Sequence, residues 1–177
     1  MLFRSVHYFA AGATRYGTEA KGAYEYEGQE YLGFFDHSKQ ANQCIDCHPT
    51  HGLEVDYEFC ADCHDDIEIE SMEDLQNIRY YFDDWDGDGD TDEGIAGEIA
   101  TLRGTLYEAM QTYAADTAGA PLVYDSHAYP YFFTDTDGDG AGDDRFTSWT
   151  PRLLRAAYNY QYASKDPGAY VHNGQYI

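Results

Sequence analysis

The clearest hydrophobic pattern in this 177-residue sequence lies between residues 95 and 115. Apolar side chains recur there at intervals of three and four positions, which brings them onto one face of an α-helix. They are Ile95, Ile99, Leu102, Leu106, Met110 and Tyr113. The pattern predicts a long amphipathic helix whose apolar face packs into the protein core.

Two further helices are predicted from capping residues. Ser71 is followed by acidic residues and then by apolar residues at helical spacing as far as Phe82, so it is a candidate N-cap. Thr150 and Pro151 combine a capping residue with proline at the first helical position, which is typical of a helix start. We expect this last helix to end before Pro167.

The rest of the sequence shows little hydrophobic periodicity. Tyrosines flank Glu27-Gly28 on both sides, and this segment is compatible with a hairpin that turns there. We therefore predict a mainly α fold with extensive irregular loops and room for one short β-hairpin near the N-terminus. A chain of this length is expected to form one domain, or one large and one small lobe.

The composition is unusual for a folded domain. Leu, Ile, Val and Phe together make up 29 of the 177 residues, and the formal net charge is -23. Both values are typical of disordered chains. The 18 tyrosines supply aromatic packing that the aliphatic count misses. A large apolar cofactor would add buried apolar surface to the folded state, and bound cations would lower its effective charge.

The acidity excludes some classes of partner. Ten Lys and Arg residues are too few for nucleic-acid phosphates or an anionic membrane surface. No apolar run approaches the roughly 20 residues of a membrane span. Residues 1–10 are too short and too polar for a signal peptide. The balance of charge suits a secreted protein, a cationic partner or calcium-rich surroundings.

All four cysteines lie in two motifs of the form C-x-x-C-H. The first contains Cys44, Cys47 and His48, and the second contains Cys60, Cys63 and His64. This spacing is typical of covalent c-type haem attachment, in which both thiols add to the vinyl groups and the histidine ligates the iron. Two complete motifs predict two haems on this chain.

Two other interpretations use the same cysteines. Four thiols in two C-x-x-C pairs form some zinc ribbons, but zinc does not require a histidine directly after each pair. Thioredoxin-like redox motifs need a βαβ setting, which the sequence does not indicate. Export must precede haem attachment of this type, so we expect the numbering to begin on a processed or truncated chain.

The remaining histidines are candidate distal ligands. Only Met1, Met72 and Met110 could serve as methionine ligands, so bis-histidine iron of low potential is the better prediction. The preferred candidates are His51, His37 and His7. His127 and His172 rank behind them, and a ligand could also come from another chain.

Two acidic loops resemble calcium sites. In the first acidic loop, residues 83–92, carboxylates alternate as in the front half of an EF-hand, and Glu98 or Glu93 would replace the missing closing Glu. The second acidic loop, residues 135–144, repeats this pattern. Solvated acidic turns are the alternative. The candidate ligands are Asp84, Asp86, Asp88, Asp90, Glu98, Asp135, Asp137, Asp139 and Asp143.

Taken together, the motif segments 44–51 and 60–64 resemble those of bacterial or archaeal multihaem c-type cytochromes. Segments 6–14 and 150–177 also resemble parts of haem domains in large members of that family. The resemblance implies a multihaem cytochrome c type of fold and electron transfer at the cell surface, outside the cell or in the periplasm. Some members polymerise into conductive extracellular filaments. The family commonly carries four or more haems, so two motifs indicate a fragment or a small subunit.

We therefore expect an exported electron carrier rather than an enzyme, formed as one dihaem domain. Its haem-binding part would cover about residues 1–70, and its helical, calcium-loop part about residues 71–177. The expected cofactors are two haem c groups and up to two Ca²⁺ ions. Expected partners are redox proteins or copies of itself in a homopolymer, without nucleic acid or membrane insertion. The alternative is a reductase haem domain with one open iron site.

Overall fold

A computed structural model describes residues 6–38, 40–51, 54–79 and 82–177, with side chains from Ala10 onward in the first helix. The described residues contain helices α1 Val6–Tyr16, α2 Cys44–Cys47, α3 Tyr57–Ala61, α4 Met72–Gln76, α5 Ile95–Tyr113, α6 Pro151–Ala163 and α7 Ala169–Asn173. The strands are β1 Leu122–Tyr124, β2 Phe132–Thr134 and β3 Asp144–Arg145. A 3-10 turn at Gly17–Glu19 follows α1, and a π-helical turn at Ala114–Ala118 follows α5.

The helices predicted from the sequence are confirmed. Helix α5 covers the amphipathic stretch, and its π-helical extension ends at Gly119, whose φ is 80°. The hydroxyl of Thr150 caps α6 by accepting a hydrogen bond from the Leu153 N–H at 3.2 Å. Ser71 caps α4 in the same way, but this helix already ends at Gln76, before the predicted Phe82.

The chain forms two compact units. The first unit contains the described residues up to Thr101 together with Lys165–Ile177, and the second unit is Leu102–Ser164. Both C-x-x-C-H motifs and the first acidic loop belong to the first unit. The second acidic loop belongs to the second. The expected single dihaem domain, with its internal boundary near residue 70, stays a prediction.

The second unit has a well-packed apolar core. The three strands form an antiparallel sheet in the order β1-β2-β3, with Leu122 opposite Thr134. The ring of Trp149 contacts Phe132 and Phe146 edge-on, at centroid distances of 5.6 and 4.9 Å. The buried core residues are Met110, Ala114, Leu122, Phe132, Phe146, Leu153 and Ala157.

The position of the β-structure differs from the prediction. Segment 24–34 contains no strand, although it turns at Gly28 with a φ of 82°. Its backbone is paired elsewhere: the carbonyl of Leu32 accepts from the Thr18 N–H at 2.9 Å, beside the end of α1. The predicted hairpin near the N-terminus is therefore wrong. The observed strands lie in the second unit and are only two or three residues long.

The buried side chains of the first unit are mostly small or polar. Helices α1 and α7 pack against each other. Among the described residues of this unit, Ile69 and Leu75 are the fully buried aliphatic side chains larger than alanine. The other buried residues are Ala10, Ala13, Thr14, Ala41, Glu98, Asp166, Ala169, Asn173 and Tyr176.

Candidate functional site

The two cysteine motifs share one local geometry. The first motif forms α2, and the second begins in the last turn of α3. In each, the histidine N–H donates to the carbonyl of the first cysteine. The distances are 2.9 Å from His48 to Cys44 and 3.1 Å from His64 to Cys60. This hydrogen bond places the histidine one helical turn after the first thiol.

Acidic side chains stabilise the start of both motif helices. The Asp46 carboxylate, inside the first motif, accepts from the backbone N–H groups of Asn42 and Gln43 at 3.0 and 2.7 Å. The Asp56 carboxylate caps α3 by accepting from the Phe59 N–H at 3.1 Å. These caps satisfy N–H groups that a helix start leaves unpaired. The acidic residues around the motifs therefore have a structural role.

The two motifs lie next to each other. The Asp56 N–H, just before α3, donates to the Cys47 carbonyl at 3.0 Å. None of the four cysteines forms a disulfide bond. Burial raises the pKa of Cys47 and of Cys60, with further contributions from Asp46 and Cys47 respectively, so both are protonated at neutral pH. Within the described ranges, the groups of three or more candidate metal ligands within 4.8 Å contain carboxylates alone, unlike the four-sulfur cage of a zinc ribbon.

Each motif histidine has a second histidine near it. The ring centroids of His64 and His37 are 6.2 Å apart, and those of His48 and His172 are 6.4 Å apart. Two imidazoles on opposite sides of one iron have centroids roughly 6 Å apart, given about 2 Å for each metal–nitrogen bond and about 1 Å from nitrogen to ring centre. Both pairs therefore have the separation that bis-histidine ligation of a haem requires.

The environment of His37 favours its neutral form. Partial burial lowers the pKa of His37, and the nearby His64 and Arg15 lower it further, against the opposite effect of Asp36. A neutral imidazole keeps the nitrogen lone pair that binds a metal. The environment of His37 is thus compatible with metal ligation.

His172 is oriented by a buried carboxylate. It lies in α7, and its Nδ1 is 2.8 Å from the Asp166 Oδ2. The side chain of Asp166 is fully buried, and that of His172 is 17% exposed. With Nδ1 engaged, the Nε2 atom of His172 remains available to a metal.

The predicted distal ligands lie in different environments. His37, one of the preferred candidates, lies near the motif histidine of the second motif, His64. His51 is exposed on a turn and belongs to neither pair, and His127 is an exposed residue beside Asp125. His7 lies in α1, but its side chain is outside the described part of the chain.

The structure places His172, which the sequence ranked behind the preferred candidates, near His48. Its distance along the chain from His48 gave no reason to connect them. The useful signal was the resemblance of the closing segment to the ends of haem domains, because that segment carries both Asp166 and His172.

The two acidic loops have the same hydrogen-bond pattern. The Asp84 carboxylate accepts from the N–H groups of Gly87 and Gly89 at 2.6 and 3.0 Å. Asp135 repeats this with the glycines three and five positions later, at 2.7 and 3.0 Å. All four glycines have positive φ, between 80° and 94°. Glycine adopts this conformation without strain, so the loops curl around their carboxylates.

The two loops differ in which carboxylate groups they bring together. The first brings together two overlapping groups, namely Asp84, Asp86 and Glu98, and Asp86, Asp88 and Glu93. The second brings together Asp135, Asp137 and Asp143. The other predicted ligands, Asp90 and Asp139, belong to none of these groups and accept hydrogen bonds from Asp92 and Ala141.

Glu98 is buried, and its side chain holds the backbone of the first loop through hydrogen bonds. Its Oε2 accepts from the N–H groups of Trp85 and Asp86, both at 2.8 Å, and its Oε1 pairs with Arg79 at 2.6 Å. Burial and the carboxylates of Asp86 and Asp88 raise the pKa of the neighbouring Glu93. The cluster therefore contains repulsion that a cation would relieve.

Comparison with known proteins agrees with the motifs. The chain is 26% identical, over 99% of its length, to the C-type polyheme cytochrome OmcB of Geobacter sulfurreducens, and the aligned region covers 26% of that protein in each of two strains. It is 27% identical over 98% of its length to the C-type polyheme cytochrome OmcC of the same species, covering 25% of it. The chain thus spans about a quarter of the length of these curated relatives.

No family model and no solved structure matches the chain. In the part of the chain that the structure describes, every helix is too short or too polar to cross a membrane. The similarity to the two cytochromes extends over both motifs and both compact units. The chain therefore resembles part of the polyhaem c-type cytochromes along nearly its whole length.

Proposed function

We propose that this chain transfers electrons through two covalently attached c-type haems, each with two histidine ligands. The first haem would be attached at Cys44 and Cys47, with axial ligands His48 and His172. The second would be attached at Cys60 and Cys63, with axial ligands His64 and His37. The observation that carries this proposal is that a second histidine ring lies near each motif histidine, at the separation that one iron needs.

The chemistry of the residues supports this assignment. Two cysteine side chains and one histidine per motif hold a haem covalently, and the bound iron supplies reversible one-electron chemistry. The second histidine fills the sixth position, so the iron has no open site for a substrate. This supports electron transfer over the reductase alternative, which needs an open site.

Mass and absorption spectroscopy test the proposal on the protein matured with haem. The intact mass should exceed the 20.0 kDa polypeptide by two haems of roughly 0.6 kDa each. The reduced and oxidised spectra should be those of low-spin iron. A bare polypeptide mass, or a chain that binds only zinc, would contradict the proposal.

Two histidine variants test the ligand assignment. His172→Ala should convert one haem of the two to high spin, and His37→Ala should convert the other, because each variant removes one distal ligand. His127→Ala is the matched control, since His127 is 92% exposed and faces neither motif histidine. If His51→Ala converts a haem while His172→Ala does not, the pairing is wrong.

We further propose that both acidic loops bind Ca²⁺, which accepts many carboxylate oxygens in flexible geometry. The three-carboxylate groups and the repeated loop conformation support this, as does the repulsion around Glu93. The two sites would be structural, and their affinities would suit millimolar extracellular calcium. Export belongs to the same proposal, and the similarity to polyhaem c-type cytochromes supports it. Redox-protein partners and assembly into a conductive filament are further parts of the proposal.

A further inference from the structure

A buried aspartate lies directly behind the proposed distal ligand of the first haem. The two carboxylate oxygens of Asp166 are 2.8 and 3.0 Å from Nδ1 of His172. Its side chain is fully buried, although a carboxylate is costly to remove from water. A buried carboxylate at hydrogen-bond distance from Nδ1 can determine the tautomer of the ring, and with it the ability of Nε2 to bind a metal.

We propose that Asp166 is a positioning residue that lowers the reduction potential of the first haem. This inference rests on the proposed function. The Nδ1–H of His172 donates to Asp166, which fixes the tautomer and directs Nε2 to the iron. The carboxylate also makes the imidazole a stronger electron donor, and this favours ferric over ferrous iron. Asp166 would act through His172 without touching the iron.

The backbone around Asp166 holds this arrangement in place. The Gly168 N–H donates to the Asp166 Oδ1 at 3.1 Å, and the His172 N–H donates to the Gly168 carbonyl at 2.9 Å. A Cβ atom at Gly168 would lie 2.9 Å from Cε1 of the His172 ring. The ring therefore packs on a glycine on one side and is hydrogen-bonded to the carboxylate that precedes α7.

The second haem would have a different environment. The ring of His37 contacts the rings of Phe35 and His64, and within the described residues no carboxylate hydrogen-bonds to it. Its nearest acid in sequence, Asp36, is exposed. The two haems should therefore differ in potential, with the His172-ligated haem as the lower one.

A redox titration of the haem-loaded Asp166→Asn protein tests the inference. Asparagine is nearly isosteric and removes the charge. One of the two midpoint potentials should rise by about 59 mV, which for one electron corresponds to a tenfold change in the ferric–ferrous equilibrium. The other potential should stay constant, and both haems should stay low spin. Asp166→Glu should recover part of the shift. Unchanged potentials in the Asn variant would overturn the inference.

The matched control is Asp125→Asn. Asp125 also lies beside a histidine, with 3.4 Å between its Oδ1 and Nδ1 of His127, but this pair is exposed and far from both motifs in sequence. The variant should leave both potentials unchanged. An equal shift in the control would overturn the inference, because it would then reflect net charge alone.

A second measurement does not depend on folding of an Asp166 variant. In His172→Ala, the haem that becomes high spin identifies which wild-type midpoint potential belongs to the first haem. That potential should be the lower of the two, and finding it to be the higher would overturn the inference. Failure of the proposed function looks different, since wild-type protein would then lack two low-spin haems altogether.

Discussion

The two compact units bury different kinds of side chain. The second unit encloses Phe132, Phe146 and Leu153 in a continuous apolar core. The first unit encloses alanines and polar residues, and only Ile69 and Leu75 represent larger buried aliphatic side chains in its described part. Because apolar burial contributes about 25 cal/mol for each Å² removed from water, the second unit has the larger stabilisation from its own residues.

The difference suggests how the first unit gains a core. It contains both C-x-x-C-H motifs, and two haems would supply the apolar surface that its side chains lack. The low aliphatic content of the sequence is then a consequence of cofactor binding and not a sign of disorder. The two units should therefore respond differently to substitutions and to loss of the haems.

The largest effect should follow from removing the haem attachment sites. A variant with alanine at Cys44, Cys47, Cys60 and Cys63 should lose the tertiary structure of the first unit, because no covalent haem remains to complete its core. The second unit should stay folded. Hydrogen exchange measured by mass spectrometry would show fast exchange in the first unit and protection in the second. Equal protection of the first unit in the wild-type holoprotein and the variant would contradict the comparison.

The next effect concerns the apolar core of the second unit. Phe132→Ala should cost about 3–5 kcal/mol of the free energy of unfolding of that unit, because it removes a buried aromatic ring and leaves a cavity. Denaturant unfolding followed by circular dichroism measures this loss, and the haem spectra should not change.

Phe82→Ala is the matched control, since Phe132 is 6% exposed and Phe82 is 77% exposed. Its effect should be within about 0.5 kcal/mol. A loss in the control as large as that in Phe132→Ala would show that burial does not explain the difference.

Calcium removal should affect both units to a smaller extent. A chelator should lower the melting temperature, and Ca²⁺ but not Mg²⁺ should restore it, because the loops offer many oxygens in flexible geometry. Each site would contribute about 2.7 kcal/mol at a hundredfold excess of calcium over its dissociation constant. Scanning calorimetry measures the shift, with the haem spectra as an internal control. Identical melting curves with and without chelator would mean that both loops are solvated acidic turns.

The smallest effect concerns the start of α6. Thr150→Ala should cost the second unit about 1 kcal/mol, because the Leu153 N–H loses its capping partner. Thr150→Ser keeps the hydroxyl and should cost much less. Chemical denaturation of both variants measures the difference, and equal losses would show that packing of the threonine methyl group, not the cap, is responsible.

Local signals in the sequence predicted local features well. Helix α5 followed from the spacing of its apolar residues, and the acidic loops followed from alternating carboxylates and glycine. The motif spacing identified Cys44 to His48 and Cys60 to His64 as candidate haem sites. Glu98 was predicted as a closing residue of the first loop because it was one of two acids at a suitable distance.

Features that depend on distant contacts were missed. Strands β1 to β3 are two or three residues long, so alternation along the sequence is too short to indicate them. The strand prediction near Gly28 failed because its backbone pairs with the end of α1. The proximity of His172 to His48 was not predicted, because only the folded chain brings α7 next to the first motif.

The two histidine pairs also differ in the length of chain that separates their members. In the proposed arrangement, His37 and His64 are close in sequence, whereas His48 and His172 lie far apart. Closing the longer loop costs more conformational entropy. The first haem would therefore keep both ligands only while α7 stays folded beside the first motif. Local loosening of α7 would open the first iron to foreign ligands and leave the second iron closed.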